Sequence, residues 1–205
     1  EKMGLEAADE LNCHFLKVDQ TENNLVEEAT EKTIKLMKKI DILVCSAGIA
    51  GPTFSTWDYP IEEWSKVFNV NVNGVFYCNK HVVKTMRNNG YGRIINIASI
   101  AGKEGNPNAS AYSASKAALA IWARSLAQEV GPEGKRVNVL APGYVDTAIL
   151  AGDSKEKRTF RENEVPLKRV GSPKDMASTI SFLTGPDSSY ITGAIIHVNG
   201  GLYLP

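Results

Sequence analysis

The chain has 205 residues, of which 43% are hydrophobic and 22% charged, and its formal net charge at pH 7 is zero. This composition predicts one soluble globular domain over residues 1–205 with a sizeable core. The balanced charge gives no basic field for binding nucleic acid or an anionic membrane surface, and no apolar run approaches the roughly 18 residues of a membrane span.

Strand-like and helix-like segments alternate in the first half of the chain. Residues 13–18 predict a strand, and residues 22–40 an amphipathic helix with apolar side chains near helical spacing. The short apolar run 41–48 ends in glycine and is typical of a buried parallel strand. Residues 61–88 carry one apolar stripe and predict a long helix.

The alternation continues to the C-terminus. We expect strands over 92–99, 136–143 and 193–201. A helix over 111–130 is closed by a Gly-Pro pair, and another helix covers 173–184. Strands that alternate with helices in this way predict an α/β fold with a doubly wound parallel sheet.

Polar and glycine residues stand where the predicted strands end. Segment 41–48 ends in Ser-Ala-Gly, 92–99 ends in Ser99, and 136–143 ends in Ala-Pro-Gly. The carboxyl ends of parallel strands share one edge of a sheet, and ligands of such folds bind there. We therefore expect the functional site at this edge.

A tyrosine and a lysine stand four residues apart just after Ser99, in the stretch "SAYSASKAALA". Alanine-rich sequence favours a helix, and residues four apart lie on one helix face. A phenol titrates near pH 10, and a neighbouring cation lowers that pKa. Tyr112 and Lys116 are thus a candidate acid/base pair; the alternative is an ordinary solvated helix pair.

Several motifs together resemble the short-chain dehydrogenase/reductase family. Ser99, Tyr112 and Lys116 match its catalytic triad in order and spacing, and "VNVNGVF" resembles the segment whose fourth catalytic residue falls on Asn71. "PGYVDT" and "ITGAIIHVNGG" resemble its nicotinamide-side segment and its last strand, so the resemblance covers residues 13–201. It implies a Rossmann-like fold, NAD or NADP as cofactor, a small-molecule carbonyl or alcohol substrate, and a homotetramer.

The resemblance also implies a role for each residue. Tyr112 would exchange the proton, Lys116 would lower its pKa and bind the nicotinamide ribose, and Ser99 would donate to the substrate oxygen. Asn71 would hold a water that links Lys116 to solvent. The implied cofactor contacts, besides Tyr112 and Lys116, are Asp19 at the adenine, Ala47 and Gly48 under the cofactor, and Pro142, Gly143, Val145 and Thr147 at the nicotinamide end. The alternative for Asn71 is a structural helix–helix hydrogen bond. The alternative for Asp19 is a simple turn or helix cap.

The chain departs from the family pattern in two places. Cys45-Ser46-Ala47-Gly48 stands where the family has Asn-Asn-Ala-Gly. Its opening strand, glycine-rich turn and helix have no counterpart, so we interpret the chain as N-terminally truncated by roughly 45 residues. The family's strand order would place the two missing strands between 13–18 and 41–48. NAD and NADP are not distinguished, because that determinant ends the second strand.

Two substrate classes remain open. The C-terminal half resembles 3-oxoacyl-carrier-protein reductases, whereas residues 99–117 resemble sugar-acid dehydrogenases. Polar residues in that segment would form a pocket wall that suits a polar substrate, unless they are a solvated loop. Cations in the expected lid, 148–165, would meet a carboxylate or phosphate, unless they are simply solvated. The wall residues are Lys103, Glu104, Asn106 and Asn108, and the lid cations are Lys157, Arg158 and Arg161. A non-catalytic protein that kept the fold for binding or assembly is the alternative.

The three cysteines, Cys13, Cys45 and Cys78, include no CxxC pair, and the three histidines show no metal-ligand spacing. We therefore expect neither a disulfide framework nor a metal site. Reduced thiols and an N-terminus without the apolar core of a signal peptide predict a cytoplasmic protein.

Overall fold

One parallel sheet organises the chain. The computed structural model describes residues 1–148 and 150–204. Its four strands lie in the order β1-β2-β3-β4 and all pairs are parallel. Their carboxyl ends therefore meet at one edge, as predicted. The strands are β1 (Ile42–Cys45), β2 (Arg93–Ile97), β3 (Arg136–Pro142) and β4 (Ile195–Val198).

Helices cover both faces of this sheet. They are α1 (Lys2–Glu10), α2 (Asn23–Met37), α3 (Ile61–Phe68), α4 (Val75–Met86), α5 (Ala101–Glu104), α6 (Ser110–Val130), α7 (Lys155–Glu164) and α8 (Pro173–Thr184). Single 3-10 turns lie at Thr56–Asp58, Gly131–Glu133 and Pro186–Ser188.

Alternate residues of the central strands enter two separate cores. Ile94 is fully buried with Met86 and Val137 on the α4 and α6 side, whereas its neighbour Ile95 packs with Leu183 of α8 on the other side. This is the period of two that a strand buried on both faces requires. The sheet is thereby fixed between the helices, and the loops at its carboxyl edge are left to form a site.

The predicted strand over 13–18 is wrong: these residues form no strand in the structure. A strand needs a hydrogen-bonded neighbour, and none of the described strands lies beside this segment. The chain just after this segment is anchored by the side chain of Gln20 instead. Gln20 Nε2 donates to the carbonyl oxygen of Val70 at 2.9 Å, and the side chain of Gln20 lies so close to Gly74 that a Cβ there would be 2.7 Å from it.

The predicted long helix over 61–88 contains a break in its regular winding. Helix α3 passes into a π-helical segment, Asn69–Gly74, before α4 begins. Such widened turns are frequently found at functional sites. Asn71, the candidate fourth catalytic residue, lies within this π-helical segment and is fully buried.

Cys45 stands where the family has asparagine, but the sheet is still connected to α4 at this position. Asn79 on α4 is fully buried, and its Nδ2 donates to Asn96 Oδ1 at 3.0 Å and to Cys45 Sγ at 3.4 Å. The Asn79–Asn96 contact therefore connects α4 to β2 next to the thiol. A hydrogen bond with Cys78, together with burial, raises the pKa of Cys45, so this thiol is a neutral packing group at neutral pH.

Candidate active site at the carboxyl edge

Backbone contacts with β3 fix the loop that carries Ser99. The N–H of Ala98 donates to Leu140 O at 2.8 Å, and the N–H of Ile100 donates to Pro142 O at 3.1 Å. The hydroxyl of Ser99 accepts from the N–H of Ala101 at 3.2 Å, at the start of α5. Ser99 is therefore held at the end of the sheet with its hydroxyl beside the helix start.

Close packing brings this loop against α6. A Cβ on Gly102 of α5 would lie 2.7 Å from the backbone of Lys116 and of Ala117. Only glycine permits this approach without a shift of one helix. The "SIAGK" stretch thus carries a packing signal that the sequence interpretation did not use.

Lys116 is buried and oriented by the sheet. Its side chain is 5% exposed, and its Nζ donates to the carbonyl oxygen of Ile97 at 2.8 Å. The same Nζ lies 5.7 Å from the ring centroid of Tyr112. An ammonium has three donors, so this contact leaves N–H groups of Lys116 for a ligand at the sheet edge.

The electrostatics of the pair differ from the sequence prediction. Burial raises the pKa of Tyr112 above its usual value near 10, and a hydrogen bond with Ser99 acts in the opposite direction. Burial also lowers the pKa of Lys116 to about 8. Desolvation dominates at Tyr112, so the net shift of its pKa is upward rather than downward, and the tuning of Tyr112 by Lys116 stays a prediction.

Asn71 joins the loop after β1 to the catalytic helix. Its Oδ1 accepts from the N–H of Ile49 at 2.8 Å, and its Nδ2 donates to the carbonyl oxygen of the same residue at 2.9 Å. The Nδ2 also donates to Ser115 Oγ at 3.0 Å. Ser115 was not among the predicted site residues, although its position three residues after Tyr112 places it on a nearby face of α6.

Gly48 leaves an exposed backbone surface between the side chains of Asn71 and Lys116, which we call the floor of the site. A Cβ at this glycine would lie 3.1 Å from Asn71 Oδ1 and 3.2 Å from Lys116 Nζ. Ala47 and Gly48 are exposed, so this surface is accessible to a flat ligand. The small residue, the exposed backbone and the free donors of Lys116 fit a nicotinamide ribose. The structure thus brings together Gly48, Asn71 and Lys116, with Tyr112 and Ser99 adjacent.

The nicotinamide-side segment lies at the same edge, after β3. The N–H of Gly143 donates to Val198 O at 3.2 Å, and Val145 pairs with Gly171 through a parallel bridge. Thr147 is exposed, and its hydroxyl donates weakly to Val145 O at 3.4 Å. These contacts hold Pro142 to Thr147 in a fixed path beside Ser99.

Asp19 has the contacts of a turn residue. Its Oδ1 accepts from the backbone N–H of Thr21 at 2.9 Å and from the Thr21 hydroxyl at 2.8 Å. These hydrogen bonds lower the pKa of the exposed Asp19 carboxyl. The turn alternative for Asp19 therefore describes its contacts in this structure, and its role at an adenine stays a prediction.

The cations of the expected lid are paired within the chain rather than left for a substrate. Arg158 contacts Asp146 at 2.7 Å, and both Lys157 and Arg161 contact Asp153 at 2.7 Å. Residue 149 of the expected lid lies outside the described residues. Lys103, Glu104, Asn106 and Asn108 are all exposed, which fits a solvated loop as well as a pocket wall, so the polar wall stays a prediction.

Comparison with known proteins decides the family. A family model described as enoyl-(acyl carrier protein) reductase matches residues 1–203. A 2-dehydro-3-deoxy-L-rhamnonate dehydrogenase (NAD(+)) from a Sphingomonas species is 38% identical over 92% of this chain and 76% of its own length. The chain belongs to the short-chain dehydrogenase/reductase family. It is an NAD(P)-dependent oxidoreductase.

Two further similarities extend this conclusion. A 3-oxoacyl-[acyl-carrier-protein] reductase from Buchnera aphidicola is 36% identical over 93% of this chain and 77% of its own length. The crystal structure of an NAD+-bound xylitol dehydrogenase superposes with a TM-score of 0.84 at 31% identity, covering 90% of this chain and 77% of the other. The predicted Rossmann-like α/β fold is confirmed. These relatives are named for enzymes, and nothing here supports the non-catalytic alternative.

Membrane-spanning helices and metal-ligand clusters are both absent from the described residues. None of the helices within 1–148 and 150–204 has the length and apolar character that crossing a membrane requires. No group of three or more His, Cys, Asp or Glu side chains in the same residues is arranged to hold a metal ion.

Proposed function

We propose that this enzyme oxidises the secondary alcohol of a small polyhydroxylated acid or sugar, with NAD as the hydride acceptor. The observation that carries the proposal is the convergence of Ser99, Tyr112 and Lys116 beside the exposed floor at Gly48. The exposed polar wall over 103–108 favours a polar substrate, and the NAD-dependent rhamnonate and xylitol dehydrogenases support the choice of class and cofactor.

Each candidate residue has a defined task in this reaction. Bound NAD supplies the hydride acceptor. Ser99 and Tyr112 would both contact the substrate oxygen, where charge develops. The phenol of Tyr112 would exchange the proton with that oxygen. Lys116 would hold the nicotinamide ribose with the N–H groups that Ile97 does not use, and Asn71 would keep the loop after β1 in place.

The raised pKa of Tyr112 sets a direction for the pH dependence. The phenol is protonated at neutral pH, which suits donation of a proton to a ketone. Alcohol oxidation needs the phenolate, so its rate should increase as the pH rises above neutral, whereas ketone reduction should be favoured at lower pH.

Reduction of a 3-oxoacyl thioester is the second candidate. It is supported by the similarity to the 3-oxoacyl-[acyl-carrier-protein] reductases. The two candidates are separated by steady-state assays of the full-length protein. We expect NAD+-dependent oxidation of deoxy-sugar acids or alditols. Turnover of a 3-oxoacyl thioester alone, with NADPH, would favour the second candidate, and no turnover of either class would contradict both.

We further propose two properties of the protein. A homotetramer is supported by apolar side chains exposed on α4 and α6, with Phe76 43% and Ile121 58% exposed. A cytoplasmic location is supported by the three free cysteines, and a fluorescent fusion tests it.

A further inference from the structure

The hydroxyl of Ser115 lies at a junction between two candidate catalytic segments. Ser115 is fully buried and directly precedes Lys116 on α6. Its Oγ donates to the carbonyl oxygen of Tyr112 at 2.8 Å and accepts from Asn71 Nδ2 at 3.0 Å. The same hydroxyl therefore contacts the backbone of the candidate proton donor and the side chain of Asn71.

The direction of each hydrogen bond at this junction is determined. The N–H of Ile49 requires an acceptor and its carbonyl requires a donor, which fixes Oδ1 and Nδ2 of Asn71 in their positions. The single proton of Ser115 is used toward Tyr112, because a carbonyl oxygen only accepts. Ser115 must then accept from Asn71, and both Nδ2 protons of Asn71 are occupied.

Loss of the Ser115 hydroxyl would leave one Nδ2 proton of Asn71 without its partner, and both residues are fully buried. A buried donor without an acceptor is costly, so the amide would rotate or shift to find another partner. Asn71 Oδ1 and Lys116 Nζ both lie just over 3 Å from the Cβ position of Gly48. A shift of a few tenths of an ångström would therefore change the floor of the cofactor site.

We propose that Ser115 is a positioning residue, which acts through Asn71 to hold the loop after β1, the π-helical segment and the Tyr112–Lys116 turn of α6 in one arrangement. The kinetic part of this inference rests on the proposed oxidoreductase function. The hydrogen-bond geometry does not depend on the substrate or its direction of reaction.

A double-mutant cycle tests whether Ser115 acts through Asn71. We expect Ser115→Ala to lower kcat about tenfold with a smaller change in substrate KM, because the reacting groups are misplaced rather than removed. In an Asn71→Ala background, Ser115→Ala should have no further effect on kcat. Independent, multiplicative losses in the double variant would overturn the proposal.

A matched control separates positioning from simple destabilisation. Ser188 is also fully buried, and its hydroxyl donates to the carbonyl oxygens of Leu183 and Gly185 at 2.9 and 3.1 Å, away from the site. Ser188→Ala should lower the melting temperature but keep kcat and the pH–rate profile. If Ser188→Ala lowers kcat as much as Ser115→Ala, the effect is one of stability and the proposal fails.

A second readout does not require activity. In isotope-labelled protein, the two Nδ2 protons of Asn71 should exchange slowly with water, and Ser115→Ala should accelerate exchange and shift the resonance of one of them. Ser188→Ala should change neither. Unchanged Asn71 amide signals in Ser115→Ala would refute the proposal even if turnover falls. Conversely, an inactive parent protein would contradict the proposed function while the amide signals still decide the role of Ser115.

Discussion

The ammonium of Lys116 donates a hydrogen bond to the main-chain oxygen of Ile97 at 2.8 Å, although its distance from the Tyr112 ring centroid is 5.7 Å. The lysine is therefore oriented by the end of β2, not by the phenol. This contact places the charge at the edge of the sheet in a buried environment, where desolvation controls its protonation.

Replacement of Lys116 by methionine should stabilise the cofactor-free protein near pH 7. The folded-state pKa of about 8 lies below the unfolded value near 10.4, so burial of the charged amine is unfavourable at every pH below about 8. As the pH rises from about 8 to 10.5, Lys116 loses its proton in the folded state before it does so in the unfolded state. The stability of the parent therefore increases towards that of the variant. The difference in unfolding free energy should change by about 3 kcal/mol over this range.

Urea unfolding of the two proteins from pH 7 to 10.5 measures this change. Lys35→Met is the control, because Lys35 is exposed on α2 and has no burial cost to relieve. A difference between parent and Lys116→Met that stays constant with pH would show that desolvation does not govern this amine.

Tyr112→Phe should lower turnover by about 10² to 10⁴-fold and leave the fold intact, because it removes only the transferable proton. Tyr190→Phe is the matched control, since the side chain of Tyr190 is fully exposed. Circular dichroism checks the fold and steady-state kinetics the rate. Activity of Tyr112→Phe within a factor of about three of the parent would remove Tyr112 from the mechanism.

Gly48→Ala should weaken cofactor binding by about tenfold, because the new methyl group lies close to Asn71 Oδ1 and Lys116 Nζ and forces one of them to move. Gly90→Ala provides the comparison, because no heavy atom lies within 4 Å of a Cβ there. Calorimetric titration with NAD compares both variants with the parent, all as the full-length protein. Equal affinity in Gly48→Ala and the parent would show that this floor does not face the cofactor.

Ile121→Glu should dissociate the proposed tetramer. Ile121 is exposed on α6 close to the Phe76–Trp122 pair, whose ring centroids are 5.8 Å apart, and a charge would be buried in any interface formed there. Phe160→Glu, at an exposed position of α7, should leave the assembly unchanged. Light scattering at micromolar concentration gives the mass, and a monomeric parent would contradict the tetramer.

Residues 1–205 on their own should bind NAD poorly. A dinucleotide's pyrophosphate is held mainly by a glycine-rich turn and the helix N-terminus that follows it, and the printed sequence contains no such turn before α2. We expect residues 1–205 on their own to show no measurable NAD binding. Micromolar affinity of the 205-residue chain would place the phosphate site elsewhere.

Most of the sheet and its functional edge were predictable from sequence, because the signals are local. Apolar runs bounded by polar or glycine residues identified β1 to β4, and alternation with helices made the sheet parallel. Parallel strands must end at one edge, so the sequence alone predicts that Ser99 and Gly48 lie at the same edge of the sheet. The alanine-rich background of Tyr112 and Lys116 identified α6 for the same reason.

Contacts between distant residues decided the rest. The apolar pattern of 13–18 suits a strand, but a strand forms only where another lies beside it. The pattern of 61–88 suits one helix, yet the segment around Asn71 widens where it contacts Ile49 and Ser115. The spacing of Tyr112 and Lys116 shows that they share a helix face, whereas their pKa values follow from how deeply the surrounding chain buries them and from the carbonyl of Ile97. Helical and strand periods are properties of neighbouring residues, but burial and hydrogen-bond partners exist only after the chain has folded.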